Sequence, residues 1–557
     1  MITHRLALAP FIKLTTLAAL LGAMAFAASP SLAAAYYVGE IGARSTARGG
    51  ANLVHPSDPS AAWLNPAALS FTTGVQLNVD LNLVFLNSAF IRDCANVPNG
   101  CAPPPEGVKR SYTGNDGTKH DYEVRGDRPP PNDDAQPGKA EPGFLGNLGT
   151  PSRFDGATKT TNQAGVQPIP RLMLSFNTDS FGLDGIALGA YFFAPNNGDY
   201  AFGEDTPTRY TLIERDLLEL YYGIAAAYRF GDWIAVGAGL QFVTAGLNQQ
   251  VRLSADQYAN EDPNFDIQAH IQGQQDFIPS GNFGIWTNPG QLLGIGDLEF
   301  AGSVQLARTV KATGPITLAF GQKLQDELIT PGVIAIDAEG ATATAEFELA
   351  PFYRVGTRYG NNLGSGVSFD VEADFVYEAW SVYDHVFLST NGVKVDFSPG
   401  DGEPGQELAP VVQPKDWNDA WSARLGGTVG LFERALELHA GGFYETSAIP
   451  NETYSVELVD GEKVGAGVGV SGKLWGVRVD VGYMHVFVFD RTVGRESIVY
   501  NGTSGDSPLL SGADTRTRIA MGKYSAGFDM INVSLNVGFD ELLAFGHFAA
   551  KDAPAPR

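Results

Sequence analysis

The segment VSFDVEADFVY, residues 367–377, decides the fold class. Its odd positions are all apolar, and three of its even positions carry a carboxylate: Asp370, Glu372 and Asp374. Because a strand directs alternate side chains to opposite faces, the segment predicts a strand with one apolar and one acidic face. Such a strand fits the half-exposed sheet of a soluble sandwich. It also has the length of about 10 residues and the terminal aromatics of a tilted transmembrane strand.

The first 35 residues predict an export signal. They carry Arg5 and Lys13 and no acidic residue, followed by an apolar run at 14–28 and small residues at 33–35. This is the pattern of a secretory signal peptide cleaved after Ala35. A membrane anchor is the weaker interpretation, because the run is shorter than the roughly 20 residues that a spanning helix needs. No later stretch is apolar for that length, so a mature chain that spans a membrane must form a closed barrel.

Composition excludes several classes of function. The chain has 557 residues, and its formal net charge of −25 becomes −27 once Arg5 and Lys13 are removed. Such an acidic chain does not fit nucleic acid, whose phosphates require basic protein. The two cysteines, Cys94 and Cys101, flank a Pro-Asn-Gly turn, and we predict that they form a small loop-closing disulfide. Two thiols without a matching histidine pair cannot close a zinc site, and we predict neither metal nor cofactor.

Alternating segments recur fourteen times after the first 74 residues. We place them near 75–90, 168–178, 184–195, 217–230, 232–247, 279–288, 296–312, 343–359, 366–380, 416–430, 433–445, 462–473, 475–490 and 522–539. Connections after even-numbered segments are tight, whereas those after odd-numbered segments, such as 313–342 and 381–415, are long and polar. This sorting of loop lengths is typical of outer-membrane barrels. The sequence therefore predicts an all-β fold, a transmembrane antiparallel β-barrel of fourteen strands over 75–540, with a loose tail at 541–557.

The longest predicted loop covers residues 91–167. It contains two Pro-Pro-Pro runs and many Asp and Gly residues, so it cannot bury enough apolar surface to fold alone. We predict an external loop, and the alternative is a segment that contacts a receptor or substrate.

Motif matches elsewhere do not predict catalysis. Residues 467–472 fit a dinucleotide-binding glycine pattern, but Leu474 follows Lys473 and no helix is predicted there to hold phosphate. The sequence contains no Gly-x-Ser-x-Gly and no His-Glu-x-x-His.

The segment 36–74 carries two short motifs just before the first predicted strand. Ala47-Arg48-Gly49-Gly50-Ala51 is followed by Trp63-Leu64 and then by the tripeptide Asn65-Pro66-Ala67. This segment resembles the N-terminal hatch of the FadL-type transporters of long-chain fatty acids and hydrocarbons, whose hallmark is an Asn-Pro-Ala tripeptide at this place. Leu188-Gly189-Ala190-Tyr191 resembles that family's third strand, and Val481-Gly482-Tyr483-Met484-His485 resembles its thirteenth. The long insertion at 91–167 and a chain that continues past Phe539 depart from the family pattern.

The resemblance implies a barrel plugged by the hatch, with a ligand pocket against it and a lateral exit at strand three. The residues implied in the pocket and hatch are Tyr36, Tyr37, Val38, Arg48, Asn65, Pro66 and Ala67. Those implied at the exit are Gly185, Gly189 and Pro195. Proline cannot donate a ladder hydrogen bond and glycine weakens strand pairing, although Pro195 also fits an ordinary strand terminator.

Inward charges predict a network in the lumen rather than a clear clamp for a ligand carboxylate. Arg354 and Arg358 lie on the strand next to Asp370, Glu372 and Asp374, and buried charges need such partners. We also expect Arg44 and Arg48 of the hatch to contact this acidic strand.

Together these patterns predict passive uptake of a hydrophobic small molecule, such as a fatty acid or a hydrocarbon, across the bacterial outer membrane. The expected surroundings are outer-membrane lipid and lipopolysaccharide, with no nucleic acid and a monomeric barrel. The alternatives are a structural or adhesive barrel and an outer-membrane enzyme that acts on lipids.

Overall fold

The computed structural model describes residues 42–540 except 57, 93–107, 114–118, 125–158, 198, 205, 255–263, 265, 333, 397–398, 400–404 and 501–517. Several predictions therefore lie outside the described residues. They are the signal peptide at 1–35, the aromatic start Tyr36, Tyr37 and Val38, the Cys94–Cys101 disulfide, most of the 91–167 loop and the tail at 541–557.

Fourteen strands form one closed antiparallel barrel, which confirms the predicted fold class. They are β1 (Val75–Arg92), β2 (Lys159–Thr161 and Gln167–Asn177), β3 (Ile186–Asn197), β4 (Glu214–Phe230), β5 (Ile234–Ser254), β6 (Asp266–Thr287), β7 (Asp297–Gln305 and Arg308–Phe320), β8 (Thr342–Leu349 and Phe352–Gly364), β9 (Val367–Glu378 and His385–Asn391), β10 (Val411–Pro414 and Ala420–Leu431), β11 (Leu436–Glu445), β12 (Lys463–Leu474), β13 (Val477–Val488 and Arg491–Val493) and β14 (Gly522–Gly538). β1 pairs with β14 from Gln76–Gly538 to Arg92–Gly522, and this ladder closes the barrel.

Several strands extend beyond their predicted ends. β5 and β6 have 21 and 22 residues, the second segment of β7 continues from the predicted strand into the predicted loop 313–342, and that of β9 lies wholly in the predicted loop 381–415. Part of their alternation is visible in the sequence and was overlooked, as in β6, where Ile267, Ala269 and Ile271 alternate with Gln268, His270 and Gln272. The backbone hydrogen-bond ladder continues through these extensions.

The remaining elements are short. In the hatch they are α1 (Ala43–Ala47), α2 (Ala61–Leu64) and a 3-10 helix, Pro66–Phe71. In the connections they are 3-10 helices Thr178–Phe181 and Trp380–Val382, α3 (Pro289–Leu293), α4 (Gln322–Leu324) leading into a π-helix (Gln325–Ile329), a hairpin (Val108–Thr113, Lys119–Val124), a strand on β4 (Tyr200–Ala201) and a small sheet (Ala335–Asp337, Lys394–Asp396, Gln406–Glu407). Within the described chain, no helix is long and apolar enough to cross a membrane.

β9 shows how the wall separates its two faces. Asp370 and Glu372 point into the barrel and are 3% and 1% exposed, whereas Val371 and Phe375 point outward and are 47% and 42% exposed. Large apolar side chains also cover the outer face of the other strands. The acidic face predicted from 367–377 is therefore the inner one, and it faces the hatch.

The hatch rests on a seat of glycines on the inner wall. At Gly426, for example, an added Cβ would lie 2.5 Å from the carbonyl oxygen of Arg48 and 3.1 Å from the Ala51 side chain. The hatch can approach the wall this closely only because the wall lacks side chains there. The seat consists of Gly189, Gly237, Gly284, Gly356, Gly426, Gly441, Gly467, Gly469 and Gly482.

Candidate functional site

The Asn-Pro-Ala tripeptide shapes and anchors the hatch. The Asn65 side chain accepts a hydrogen bond from the backbone N–H of Ala67 at 3.2 Å, and its Nδ2 donates to the Ile285 carbonyl on β6 at 3.3 Å. Pro66 occupies the first turn of the 3-10 helix, where a missing N–H costs least. All three residues are buried. The tripeptide therefore caps the turn and ties it to the wall.

The wall also satisfies the end of α2. A helix leaves its last carbonyl groups without internal partners. Asn282 on β6 donates to the carbonyl groups of Ala62 and Trp63 at 2.9 and 3.0 Å. Ser303 on β7 donates to the Leu64 carbonyl at 2.7 Å. These bonds fix the position of Trp63 at the top of the hatch.

Carboxylates on β9 bind the hatch at Arg48, Asn52 and Leu53. Arg48 Nη1 donates to Asp370 Oδ1 at 2.6 Å, and its Nη2 donates to Glu372 Oε2 at 3.0 Å. Asp374 Oδ2 accepts the backbone N–H groups of Asn52 and Leu53 at 3.0 and 3.1 Å. The acidic face of β9 thus binds the hatch through one side chain and its backbone.

The other predicted lumen cations find different partners. Arg44 lies 3.8 Å from Glu437 on β11, not against β9 as expected. Arg358 pairs with Glu299 on β7 and lies 3.6 Å from Asp370. Arg354 donates to Gln305 Oε1 at 3.3 Å. The predicted network spans β7 to β11 rather than β8 and β9 alone.

A buried cluster of apolar and aromatic side chains packs around Trp63, and we call this cluster the chamber. The Trp63 ring meets Phe193, Tyr221 and Tyr191 nearly edge-on, with centroid distances of 4.8, 5.0 and 5.9 Å. The buried cluster around these rings continues to β1 and to the segment before β4, through Leu86, Phe90, Ile169, Leu212, Leu217 and Val243. Such a surface gains free energy by contact with an apolar molecule, at roughly 25 cal/mol per Å² buried.

Arg308 lies beside this chamber and is already paired. Arg308 on β7 donates to the Tyr221 hydroxyl, and its Nη2 lies 3.5 Å from Glu219 Oε2. Tyr221 in turn donates to Glu219 at 2.7 Å. All three side chains are buried, so the positive charge is neutralised within the protein.

The wall beside the chamber is interrupted between β2 and β3. The register of these strands runs from Asn177–Ala187 to Arg171–Phe193 and ends there, although residues 167–170 of β2 still pair with β1. On its other side β3 shifts register against β4 between Phe193 and Asn196, a β-bulge that contains Pro195. Bulges are common at barrel rims and next to functional sites.

The other two residues predicted at the exit lie elsewhere. Gly185 precedes β3 in the turn after β2, with φ +85, and its N–H donates to Asp179 Oδ1 at 2.7 Å. Gly189 is fully paired, opposite Ser175 on β2 and Ala225 on β4, and it belongs to the glycine seat. An added Cβ at Gly189 would lie 2.9 Å from Ala62, so a bulky residue there would displace the hatch rather than fill an opening.

The sequence reasoning overlooked the chamber itself. Its members Tyr191, Phe193 and Tyr221 lie at inward positions of β3 and β4, so the alternation of these two strands would have revealed them. Pro168 and Pro170 on β2 were also overlooked, although both are visible in the sequence. They lie where β2 and β3 no longer pair, a place that we call the seam. The Arg308–Glu219 pair carries no local signal, because its members lie 89 positions apart.

Among the described residues, no group of three or more His, Cys, Asp or Glu side chains is arranged to hold a metal ion.

A closed fourteen-stranded wall, a lumen plugged by an N-terminal hatch and an apolar chamber define the class of plugged outer-membrane barrels. The chain belongs to the outer membrane transport protein family OMPP1/FadL/TodX, whose model matches residues 24–518. No curated protein sequence matches it.

Solved structures of similar fold have little sequence identity with this chain. A FadL homologue of Pseudomonas aeruginosa matches with a TM-score of 0.63 and 15% identity, over 91% of this chain and 100% of its own. The toluene transporter TodX of Pseudomonas putida matches with a TM-score of 0.55 and 13% identity, over 91% and 100%. The toluene transporter TbuX of Ralstonia pickettii matches with a TM-score of 0.53 and 14% identity, over 89% and 98%. At these identities the likeness concerns the fold.

Proposed function

We propose that this protein is a passive transporter that takes up hydrophobic small molecules through its lumen and releases them sideways into the outer membrane. The ligand enters from the long-loop end, binds in the chamber against Trp63 and leaves between β2 and β3. The interrupted seam beside Phe193 carries this proposal, because Phe193 both contacts Trp63 and is the last residue of β3 in the β2–β3 ladder. The toluene transporters of similar fold support the choice of ligand class.

Energetics favour the lateral route over a straight one. The straight route runs along the barrel axis through the plugged lumen. It would require the hatch to leave its glycine seat and to break the buried Arg48–Asp370 and Arg48–Glu372 pairs. Breaking a buried ion pair is strongly unfavourable, because it leaves charges desolvated without partners. An opening in the wall, by contrast, leads directly into hydrocarbon, where a lipophile is stable. The lateral route therefore needs no movement of the plug.

The seam can remain open because few of its backbone groups need partners. Unpaired N–H groups that face lipid cost several kcal/mol each, so an ordinary gap in a barrel wall would close. Pro168, Pro170 and Pro195 have no N–H to leave unpaired. Three prolines on the two edges of one seam reduce the cost of the interruption.

The test is uptake of the uncharged fluorescent lipophile N-phenylnaphthylamine, whose fluorescence rises when it enters a membrane. Pro195→Val restores a donor in β3, and we expect the barrel to fold while uptake slows severely. Pro315→Val restores a donor in β7 away from the seam and serves as the matched control. If folded Pro195→Val protein takes up N-phenylnaphthylamine at the wild-type rate, lateral release is refuted. Absence of uptake in the wild type would refute the transport function itself.

A further inference from the structure

Two neutral polar side chains of the chamber have no internal partner. Tyr191 on β3 lies opposite Gly223 on β4, which lies opposite Gln241 on β5. The Tyr191 Oη and both polar atoms of the Gln241 amide are buried and have no hydrogen-bond partner in the part of the chain that the structure describes. Tyr191 is 4% exposed and Gln241 is fully buried.

Tyr191 and Gln241 lie in one row across three neighbouring strands, and Gly223 stands between them. A Cβ at Gly223 would lie 2.6 Å from the Tyr191 Oη, so the tyrosine ring occupies the space that a side chain of β4 would fill. Buried polar groups are almost always hydrogen-bonded, and each exception calls for a partner from outside the chain. A hydroxyl that donates or accepts and an amide that does both match a neutral polar group of a ligand.

Two cations beside Phe193 and Tyr221, Arg171 and Arg308, already have protein carboxylates as partners and are not free to bind a ligand carboxylate. Arg308 is held by Glu219 and Tyr221, as described above. Arg171, whose register partner is Phe193, pairs with Asp80 at 2.8 Å, and both side chains are at most 1% exposed. A ligand carboxylate would have to displace a protein carboxylate or remain buried without a counter-charge, and both are unfavourable.

We propose that the chamber selects uncharged lipophiles that carry one neutral hydrogen-bonding group, such as an alcohol or a ketone, and discriminates against carboxylates. This inference rests on the proposed function and names the class of ligand that the chamber takes. Trp63, Phe193 and Tyr221 surround the apolar body of the ligand. Tyr191 and Gln241 bind its polar group, and Glu219 keeps Arg308 from attracting an anion.

The test compares three probes of one chain length, dodecane, 1-dodecanol and dodecanoate, bound to the full-length protein in nanodiscs at pH 8. We expect dodecanol to bind most tightly and dodecanoate most weakly. Tyr191→Phe and Gln241→Leu should each lower dodecanol affinity about fivefold, the worth of one hydrogen bond, and leave dodecane affinity unchanged. Unchanged dodecanol binding in both variants would overturn the assignment of the polar row.

A second variant tests discrimination against anions by a gain of function. Glu219→Gln removes the counter-charge of Arg308, and we expect dodecanoate affinity to rise at least fivefold. Asp490→Asn removes the same charge from an exposed pair with Lys523, 2.7 Å apart on the surface, and should change nothing. If the wild type binds dodecanoate as tightly as dodecanol, the proposed selectivity is overturned, but the transport function is not affected. Failure of all three probes to bind would overturn both.

Discussion

Arg48 of the hatch and Asp370 of β9 form a buried ion pair at 2.6 Å, and both side chains are 2% exposed. The two residues are 322 positions apart in sequence, so this pair links the N-terminal plug to a strand from the middle of the barrel sequence. Thr428 on β10 accepts a second bond from the same Arg48 nitrogen at 2.5 Å. One side chain therefore joins the hatch to two neighbouring strands.

Arg48→Ala should loosen the plug. The substitution removes the Arg48 guanidinium from Asp370 and Glu372, at a cost of about 1–3 kcal/mol for the lost charged hydrogen bonds, while the Val54 N–H still binds Glu372 at 2.7 Å. We expect larger ion leak across planar bilayers and a lower temperature for the gel shift on heating. Arg229→Ala removes an arginine from a partly exposed pair with Asp179 and is the matched control. Leak and heat modifiability equal to the wild type would show that this pair does not retain the hatch.

The glycine seat gives a second prediction, with a control one residue away. Gly426 faces Arg48 and Ala51 of the hatch, whereas a Cβ at Gly427 would lie 3.8 Å from Val371 Cγ2 and 3.1 Å from a wall carbonyl, away from the hatch. Gly426→Ala should therefore shift the hatch and raise the leak, because its Cβ would lie 2.5 Å from the Arg48 oxygen. Gly427→Ala should have a much smaller effect. Equal leak in the two variants would argue against the seat.

Trp63 is predicted to be the largest single contributor to ligand binding. Its ring packs nearly edge-on against three aromatic side chains, so it holds these rings in place and would itself offer the ligand a large apolar surface. Trp63→Ala should weaken binding of 1-dodecanol at least tenfold, and Trp63→Phe should weaken it less. Trp421→Ala removes a tryptophan from the outer face of β10 and should leave binding unchanged. Full affinity in folded Trp63→Ala protein would place the ligand elsewhere in the lumen.

The fold could be predicted from local patterns in the sequence. Each strand has its own alternation, so all fourteen could be placed without knowledge of their neighbours, and the acidic face of 367–377 became the inner face of β9. The hatch was found through a short motif before β1. What failed was the extent of β5, β6, β7 and β9, although part of the alternation continues beyond the predicted ends, as at Ile267, Ala269 and Ile271 of β6.

The site was harder to predict, because it depends on contacts between distant segments. Gly189 looked like a weak point of β3 in sequence, but closure of the barrel brings Ala62 and Leu69 of the hatch against it. Arg44 lies 3.8 Å from Glu437 on β11, a pairing that no local pattern around either residue indicates. The chamber around Trp63 likewise exists only once β3, β4 and the hatch are assembled.

Lateral release between β2 and β3 is the central claim, and a crosslink across this seam tests it most directly. Pro170→Cys and Ala194→Cys, in a background with Cys94→Ser and Cys101→Ser, place thiols just beyond the last ladder pair, Arg171–Phe193. A short bifunctional maleimide would join them, and Val429→Cys with Leu438→Cys, an outward pair in the intact β10–β11 ladder, provides the control. Because Pro170→Cys already adds an N–H at the seam, each variant is compared with itself before crosslinking. We predict that the seam crosslink abolishes the remaining uptake of N-phenylnaphthylamine, while the control crosslink leaves uptake unchanged. Undiminished uptake through a crosslinked seam would contradict the account.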